Sequence, residues 1–205
     1  MRRFADVLNS WSLTGLLALA IVLMALAIGA YHGFEVEGVR AVIRATARTS
    51  LALFCLAFSA SAALAFWPNA WTRWQRRNRR YLGVAFAASH GVHAVAIASL
   101  ALVSPPLFRE AVAPAMLIFG GIGYGFILLM VATSFDRTAR LIGGRAWRLL
   151  HLTGASYLWL AFVNSFASRA AAHPLYWAPV ALLVAVMLLR VGNWYVLRRV
   201  RAQAA

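Results

Sequence analysis

Six apolar segments, each about as long as a bilayer-spanning helix, alternate along the chain with short stretches rich in arginine. A span needs roughly 20 apolar residues, because an α-helix rises about 1.5 Å per residue through a hydrocarbon core about 30 Å thick. The alternation therefore predicts an all-α integral membrane protein, a six-helix bundle in which residues 1–205 form a single domain. The predicted spans lie near residues 11–31, 49–67, 81–103, 112–134, 149–167 and 175–195.

The composition favours lipid over water as the surrounding solvent. Of the 205 residues, 63% are hydrophobic and 12% are charged, whereas a soluble domain is roughly half apolar and about a quarter charged. The net charge of +15 does not indicate a nucleic-acid-binding protein, because the arginines lie in short clusters between apolar runs and form no single basic face. We expect membrane lipid as a partner and no nucleic acid.

The distribution of arginine predicts an orientation. The side that holds both termini carries most of the 20 arginines, including those of the tail from Arg190 to Arg201. By the positive-inside rule, both termini are expected in the cytoplasm of a bacterial cell, with the chain crossing the inner (plasma) membrane several times. The arginines of the opposite side are Arg40, Arg44, Arg48, Arg109 and Arg169.

Three histidines, His90, His93 and His151, fall inside predicted spans. Ionisable groups within a membrane are costly and often functional, although a histidine at a helix interface also makes ordinary hydrogen bonds. Heme suits such a position, because it is a large apolar disc whose iron accepts one or two imidazoles. Zinc is a weaker candidate, since it prefers four close ligands, Cys55 is distant in sequence, and the spans contain no carboxylate.

Three stretches of the sequence resemble one known family. They are RATARTSLALF (residues 44–54), RRYLGVAFAASHGVHAV (79–95) and ATSFDRTARLIGGRAWRLLHLTGASYLWL (132–160). The resemblance is to the ferric reductase-like transmembrane domain family, and within it to the heme-binding membrane subunit of methionine-sulfoxide reductase systems. In that family an R-R-x-L-G segment precedes a histidine ten residues after the glycine, which is His93 here, and a W-x-x-L-H segment ends at the position of His151.

The resemblance implies one or two b-type hemes and electron transfer across the membrane. It implies a quinol or flavin-reductase donor, with FMN or a quinone as a further cofactor, and an acceptor such as a periplasmic oxidoreductase or ferric iron. On this interpretation the protein is an electron-transfer subunit of an oxidoreductase rather than a complete enzyme, and His93 and His151 are its iron ligands.

Two positions depart from the family pattern, because Asn164 and Arg79 stand where fuller members have histidines. His93 and His151 are then expected at depths that differ by roughly 15 Å along spans of the same direction, so one iron does not suit both. Two sites follow as predictions. The outer one is at His93, with Asn164, a water or nothing opposite, and the inner one is at His151, with Arg79 or Arg80 near the heme propionates or the open face of the heme. His90, one turn from His93, is an alternative ligand or a hydrogen-bond partner.

Two other functions stay open. The chain is also compatible with a degenerate, heme-free membrane scaffold, which the asparagine at position 164 favours. It is further compatible with a small transporter whose histidines line a polar path. The absorption spectrum of the purified protein separates these alternatives, because only a heme protein gives b-type bands on reduction.

Overall fold

A computed structural model describes residues 8–203, and the side chains of all of these except residues 200, 201 and 203. Over this range the chain is all-α, as predicted, with eight α-helices and one short 3-10 turn at Pro174–Tyr176. The helices are α1 (Ser10–His32), α2 (Val36–Phe66), α3 (Ala70–Arg77), α4 (Arg79–Val103), α5 (Pro105–Ala111), α6 (Pro114–Ala132), α7 (Asp136–Ala170) and α8 (Trp177–Gln203).

Five of the described helices, α1, α2, α4, α6 and α8, are long and apolar enough to cross a membrane. They overlap the predicted spans other than 149–167. Five such helices support a multi-pass membrane protein. The remaining span lies within α7, which is interrupted by a non-helical backbone conformation at Gly143 (φ +74°). It is not among the five, because polar residues such as His151, Ser156 and Asn164 lower its hydropathy. A sixth span therefore stays a prediction.

The observed boundaries differ from the predicted ones in two ways. α2 begins at Val36, well before the predicted start at residue 49, because the helix continues through the segment that carries Arg40, Arg44 and Arg48. The short helices α3 and α5 lie in segments expected to be connecting loops.

The pairing of α2 with α4 is the most extensive helix contact of the described chain. Small side chains line it, and Ala60 and Ala85 are fully buried. Two buried serines link the helices, because Ser50 Oγ donates a hydrogen bond to Ser89 Oγ at 2.9 Å, and Ser89 Oγ donates to the carbonyl of Thr46 at 3.4 Å. Small residues let two backbones approach closely, and such bonds satisfy the polar groups away from water.

Asn78, between α3 and α4, fixes the start of α1 at the arginine-rich end of the bundle. This side chain is 1% exposed. Its Nδ2 donates to Asn9 Oδ1 at 2.9 Å, and its Oδ1 accepts from the backbone nitrogen of Ser10 at 3.0 Å. Nearby, Trp74 Nε1 donates to the carbonyl of Leu8 at 2.8 Å. The beginning of α1 is thus anchored where α4 starts.

The turn between α1 and α2 has space only for glycine at position 38. A Cβ atom at Gly38, in the first turn of α2, would clash with the carbonyl oxygen of Gly33, whose backbone has a φ of +82°. By contrast, a Cβ at Gly15 in α1 would meet nothing within 4 Å.

We therefore expect Gly38→Ala to destabilise the protein by about 1–3 kcal/mol, the usual cost of overpacking, whereas Gly15→Ala is the matched control with no loss. The single cysteine supplies the measurement, because Cys55 is 5% exposed and a thiol reagent reaches it only when the bundle opens. Labelling of the detergent-solubilised variants is followed during heating. Equal labelling midpoints for the two variants would contradict the prediction.

Candidate functional site

A cavity of about 480 Å³ lies between α2, α4, α6 and α7 at the arginine-rich end of the bundle. This volume falls within the roughly 300–1,000 Å³ that is usual for small-molecule and cofactor sites. Its inner wall is apolar and comes from all four helices. The larger apolar side chains of this wall are Phe54, Phe58, Phe86, Ile127, Met130 and Leu158.

The mouth of the cavity is positively charged. Asp136 is the one acidic residue among those that line the cavity, and it is already paired, because Arg80 Nη2 donates to its Oδ1 at 2.7 Å. Arg79 is half-buried, and within the described part of the chain its side chain makes one long contact, of 3.5 Å, with Ser61 Oγ. An excess of guanidinium groups around a concave apolar surface attracts anionic ligands. The lining arginines are Arg76, Arg77, Arg79 and Arg80.

His151 lies in the wall of this cavity and is held on two sides. Its ring stacks on Trp147, with ring centroids 4.3 Å apart and planes at 28°. Its Nε2 lies 3.1 Å from Oγ1 of Thr133, which directly follows α6, and Trp147 Nε1 donates to the backbone carbonyl of the same threonine at 3.0 Å. Arg79 is close enough to His151 for the two groups to interact electrostatically. The structure therefore brings together both residues of the predicted inner site.

Arg190 also belongs to this region. From the sequence it is grouped with the arginines of the tail, although it falls inside the predicted span 175–195, and it is not identified as a site residue. It is half-buried on α8, where its Nη1 donates to the carbonyl of Phe58 at 2.8 Å. Its guanidinium lies 4.0 Å from the centroid of the Phe58 ring, which itself lines the cavity. The apolar residues that continue after it, up to Leu197, are the sequence signal that Arg190 belongs to the helix bundle.

Arg190 and Arg79 form a pair of like charges beside the cavity. They are close enough to interact electrostatically, and among the described residues neither forms an ion pair with a carboxylate. Half-buried charges without a counter-ion are costly in a low-dielectric surrounding. The pair therefore favours an anionic group as the partner that the cavity receives.

His93 and His90 form a second cluster, one turn apart on α4 and farther from the arginine-rich end. Their ring centroids are 5.3 Å apart, with planes at 29°. His93 Nδ1 lies 3.0 Å from Thr46 Oγ1 on α2. Thr46 is fully buried, and its hydroxyl donates to the carbonyl of Val42 at 2.7 Å. This contact fixes the His93 ring against α2.

The buried Nδ1 of His90 has no hydrogen-bond partner among the described residues. Aromatic rings surround it, with centroid distances of 5.1 Å to Tyr124, 5.3 Å to Phe86 and 6.0 Å to Phe162. A buried polar atom that lacks a partner costs about 1–3 kcal/mol, which favours a ligand at this cluster over a purely packing role. Phe86 also lines the cavity, so one ring lies between the cavity and His90.

Asn164 lies on an exposed face of α7, whereas the buried face of that helix carries Leu158 and Phe162. The α7 residue close enough to act on His93 electrostatically is Arg169, whose Nη1 donates to Ser165 Oγ at 2.9 Å. A spacing of 18 residues, or about five helical turns, places position 169 on the face of His151. The structure does not direct Asn164 toward His93, and its role as a ligand stays a prediction.

Comparison of this chain with protein-family models, with curated proteins and with solved structures gives no match. The family resemblance of the three sequence motifs therefore stays an expectation. The features that bear on the function are the cavity, the two histidine clusters and the arginines beside them.

Proposed function

We propose that this protein is a membrane electron-transfer subunit that holds a b-type heme in the cavity beside His151. The cavity carries the proposal, because it joins an apolar wall inside the bundle to a mouth with an excess of arginine. Heme has the same two-part character, with a flat apolar macrocycle and two propionate carboxylates at one edge. Its iron accepts the nitrogen of an imidazole.

The residues present fit each part of that group. The imidazole of His151 lies in the cavity wall, and Trp147, one turn earlier on α7, stacks on it. Arg79 is the candidate partner of a propionate, because a guanidinium binds a carboxylate through two parallel hydrogen bonds and this one has no carboxylate partner among the described residues. Arg80 is less suitable, since it is paired with Asp136.

Heme bound in the cavity would supply one-electron redox chemistry through its iron, and the chain would supply binding, orientation and electrostatics. The apolar wall formed by Phe54, Phe58 and Phe86 would exclude water. The positive charges of Arg79 and Arg190 would favour the state with one more electron and so raise the reduction potential.

We propose that His93 binds the iron of a second heme. The orphaned Nδ1 of His90 supports a ligand at this cluster, and Arg169 adds a positive charge near His93. Two heme sites at different depths along α4 would suit the transfer of electrons across a bacterial inner membrane. By resemblance, the donor is a quinol or a flavin reductase on the arginine-rich side, with FMN or a quinone as carrier, and the acceptor is a periplasmic oxidoreductase or ferric iron.

We expect His151→Ala to lose at least half of the heme that co-purifies with each chain, because the cavity then lacks its imidazole. His173→Ala is the matched control, since His173 is exposed and lies outside both clusters. Heme content is measured as the pyridine hemochrome, together with the reduced-minus-oxidised spectrum of the detergent-solubilised protein.

Two results would contradict the proposed function. A colourless wild-type protein from cells that make heme would leave the scaffold and transporter alternatives. Full heme content in a variant that lacks both His93 and His151 would show that other residues hold the iron.

We further expect Arg190→Gln to lower the midpoint potential of the bound heme, because a positive charge near the iron favours the reduced state. The shift is on the order of tens of millivolts, since about 1 kcal/mol of electrostatic stabilisation corresponds to roughly 40 mV for one electron. Arg198→Gln is the control, because Arg198 is exposed and stacks on Trp194. A redox titration measures both variants, and an equal shift in the two would contradict a specific role for Arg190.

A further inference from the structure

Two buried threonines hold His93 and His151 through different ring nitrogens. Thr46 Oγ1 lies 3.0 Å from Nδ1 of His93, whereas Thr133 Oγ1 lies 3.1 Å from Nε2 of His151. In both cases the threonine hydroxyl also donates to the carbonyl four residues earlier in its own helix. These distances are 2.7 Å for Thr46 to Val42 and 2.7 Å for Thr133 to Leu129.

The single proton of a hydroxyl determines the direction of each contact. Because that proton lies on the backbone carbonyl, the threonine oxygen can only accept a hydrogen bond from the imidazole. The nitrogen that faces the threonine therefore carries the ring proton, which is Nδ1 in His93 and Nε2 in His151. A neutral imidazole has one N–H, so the lone pair lies on Nε2 of His93 and on Nδ1 of His151.

We propose that Thr46 and Thr133 are positioning residues that fix opposite tautomers of the two histidines. Thr46 leaves Nε2 of His93 free to bind iron. Thr133 occupies Nε2 of His151, so iron can bind that nitrogen only by displacing the threonine. The tautomers themselves follow from the hydrogen bonds alone, and the consequence for iron rests on the proposed function.

The two contacts should change iron binding in opposite directions. At His93 the hydrogen bond from Nδ1 makes Nε2 more basic and fixes the plane of the ring, which strengthens a metal bond through Nε2. At His151 the threonine competes with iron for Nε2. The other nitrogen, Nδ1, is adjacent to the ring carbon that carries the side chain, so a macrocycle approaches it less easily.

The tautomers are measured directly by ¹⁵N NMR of the histidine rings in the full chain, produced in detergent from cells that cannot make heme. We expect the Nδ1–H form for His93 and the Nε2–H form for His151, with signals assigned through His93→Ala and His151→Ala. Thr46→Val should weaken the preference of His93 only, because the carbonyl of Ile43 is a second acceptor near this ring, and Thr133→Val should abolish the preference of His151 only. Thr46→Ser and Thr133→Ser should restore them.

Thr49→Val is the matched control, because Thr49 donates to the carbonyl of Ala45 at 3.0 Å in the same helix and its described contacts include no histidine. It should leave both tautomers unchanged. The same tautomer at both histidines, or a preference that the valine substitutions leave unchanged, would overturn the inference.

Heme titration gives a second readout. With His151 replaced, Thr46→Val should weaken heme binding about tenfold or more, the usual effect of losing such a partner of a metal ligand. With His93 replaced, Thr133→Val should strengthen it. If both threonine substitutions changed the heme affinity in the same direction, the proposal that the two contacts have opposite effects would be overturned. A wild-type chain that binds no heme would instead contradict the proposed function, while the NMR measurement still decides the tautomers.

Discussion

The close pairing of α2 with α4 is the contact on which both candidate sites depend. Its small and hydroxyl-bearing residues let the two backbones approach, so Thr46 on α2 can reach the His93 ring on α4. The same pairing brings Phe54 of α2 to within 5.7 Å of the Phe86 ring, centroid to centroid. These two rings form part of the cavity wall. A larger residue at Ser50 or Ser89 would separate the two helices and so disturb both candidate sites.

The second organising feature is an imbalance of charge near the cavity. Guanidinium groups outnumber carboxylates around it, and two of the arginines are half-buried without an ion-pair partner in the described structure. Folding bears that cost in the absence of a ligand. An anionic, largely apolar cofactor would relieve it, which is why the cavity and the arginines are most simply explained together.

The sequence was sufficient to predict the all-α class, the approximate extent of most of the apolar helices and the grouping of His151 with Arg79. These depend on hydropathy and on helical rise, and both can be counted along the chain. It was not sufficient to locate Arg190 beside Phe58, to identify Thr46 and Thr133, or to place Asn164 on an exposed face. Those features depend on how each helix is rotated about its axis, and only the packing of neighbouring helices determines that rotation.

Under the proposed function, the position of Phe86 bears on the distance that an electron would cross. One aromatic ring lies between the cavity and His90, and His90 stacks on His93. With both sites filled, the insulating gap inside the protein would be the thickness of a few side chains, far less than the hydrocarbon layer around it. Tunnelling rates fall steeply with gap length, so the bundle would act as a short conducting path through a wide barrier.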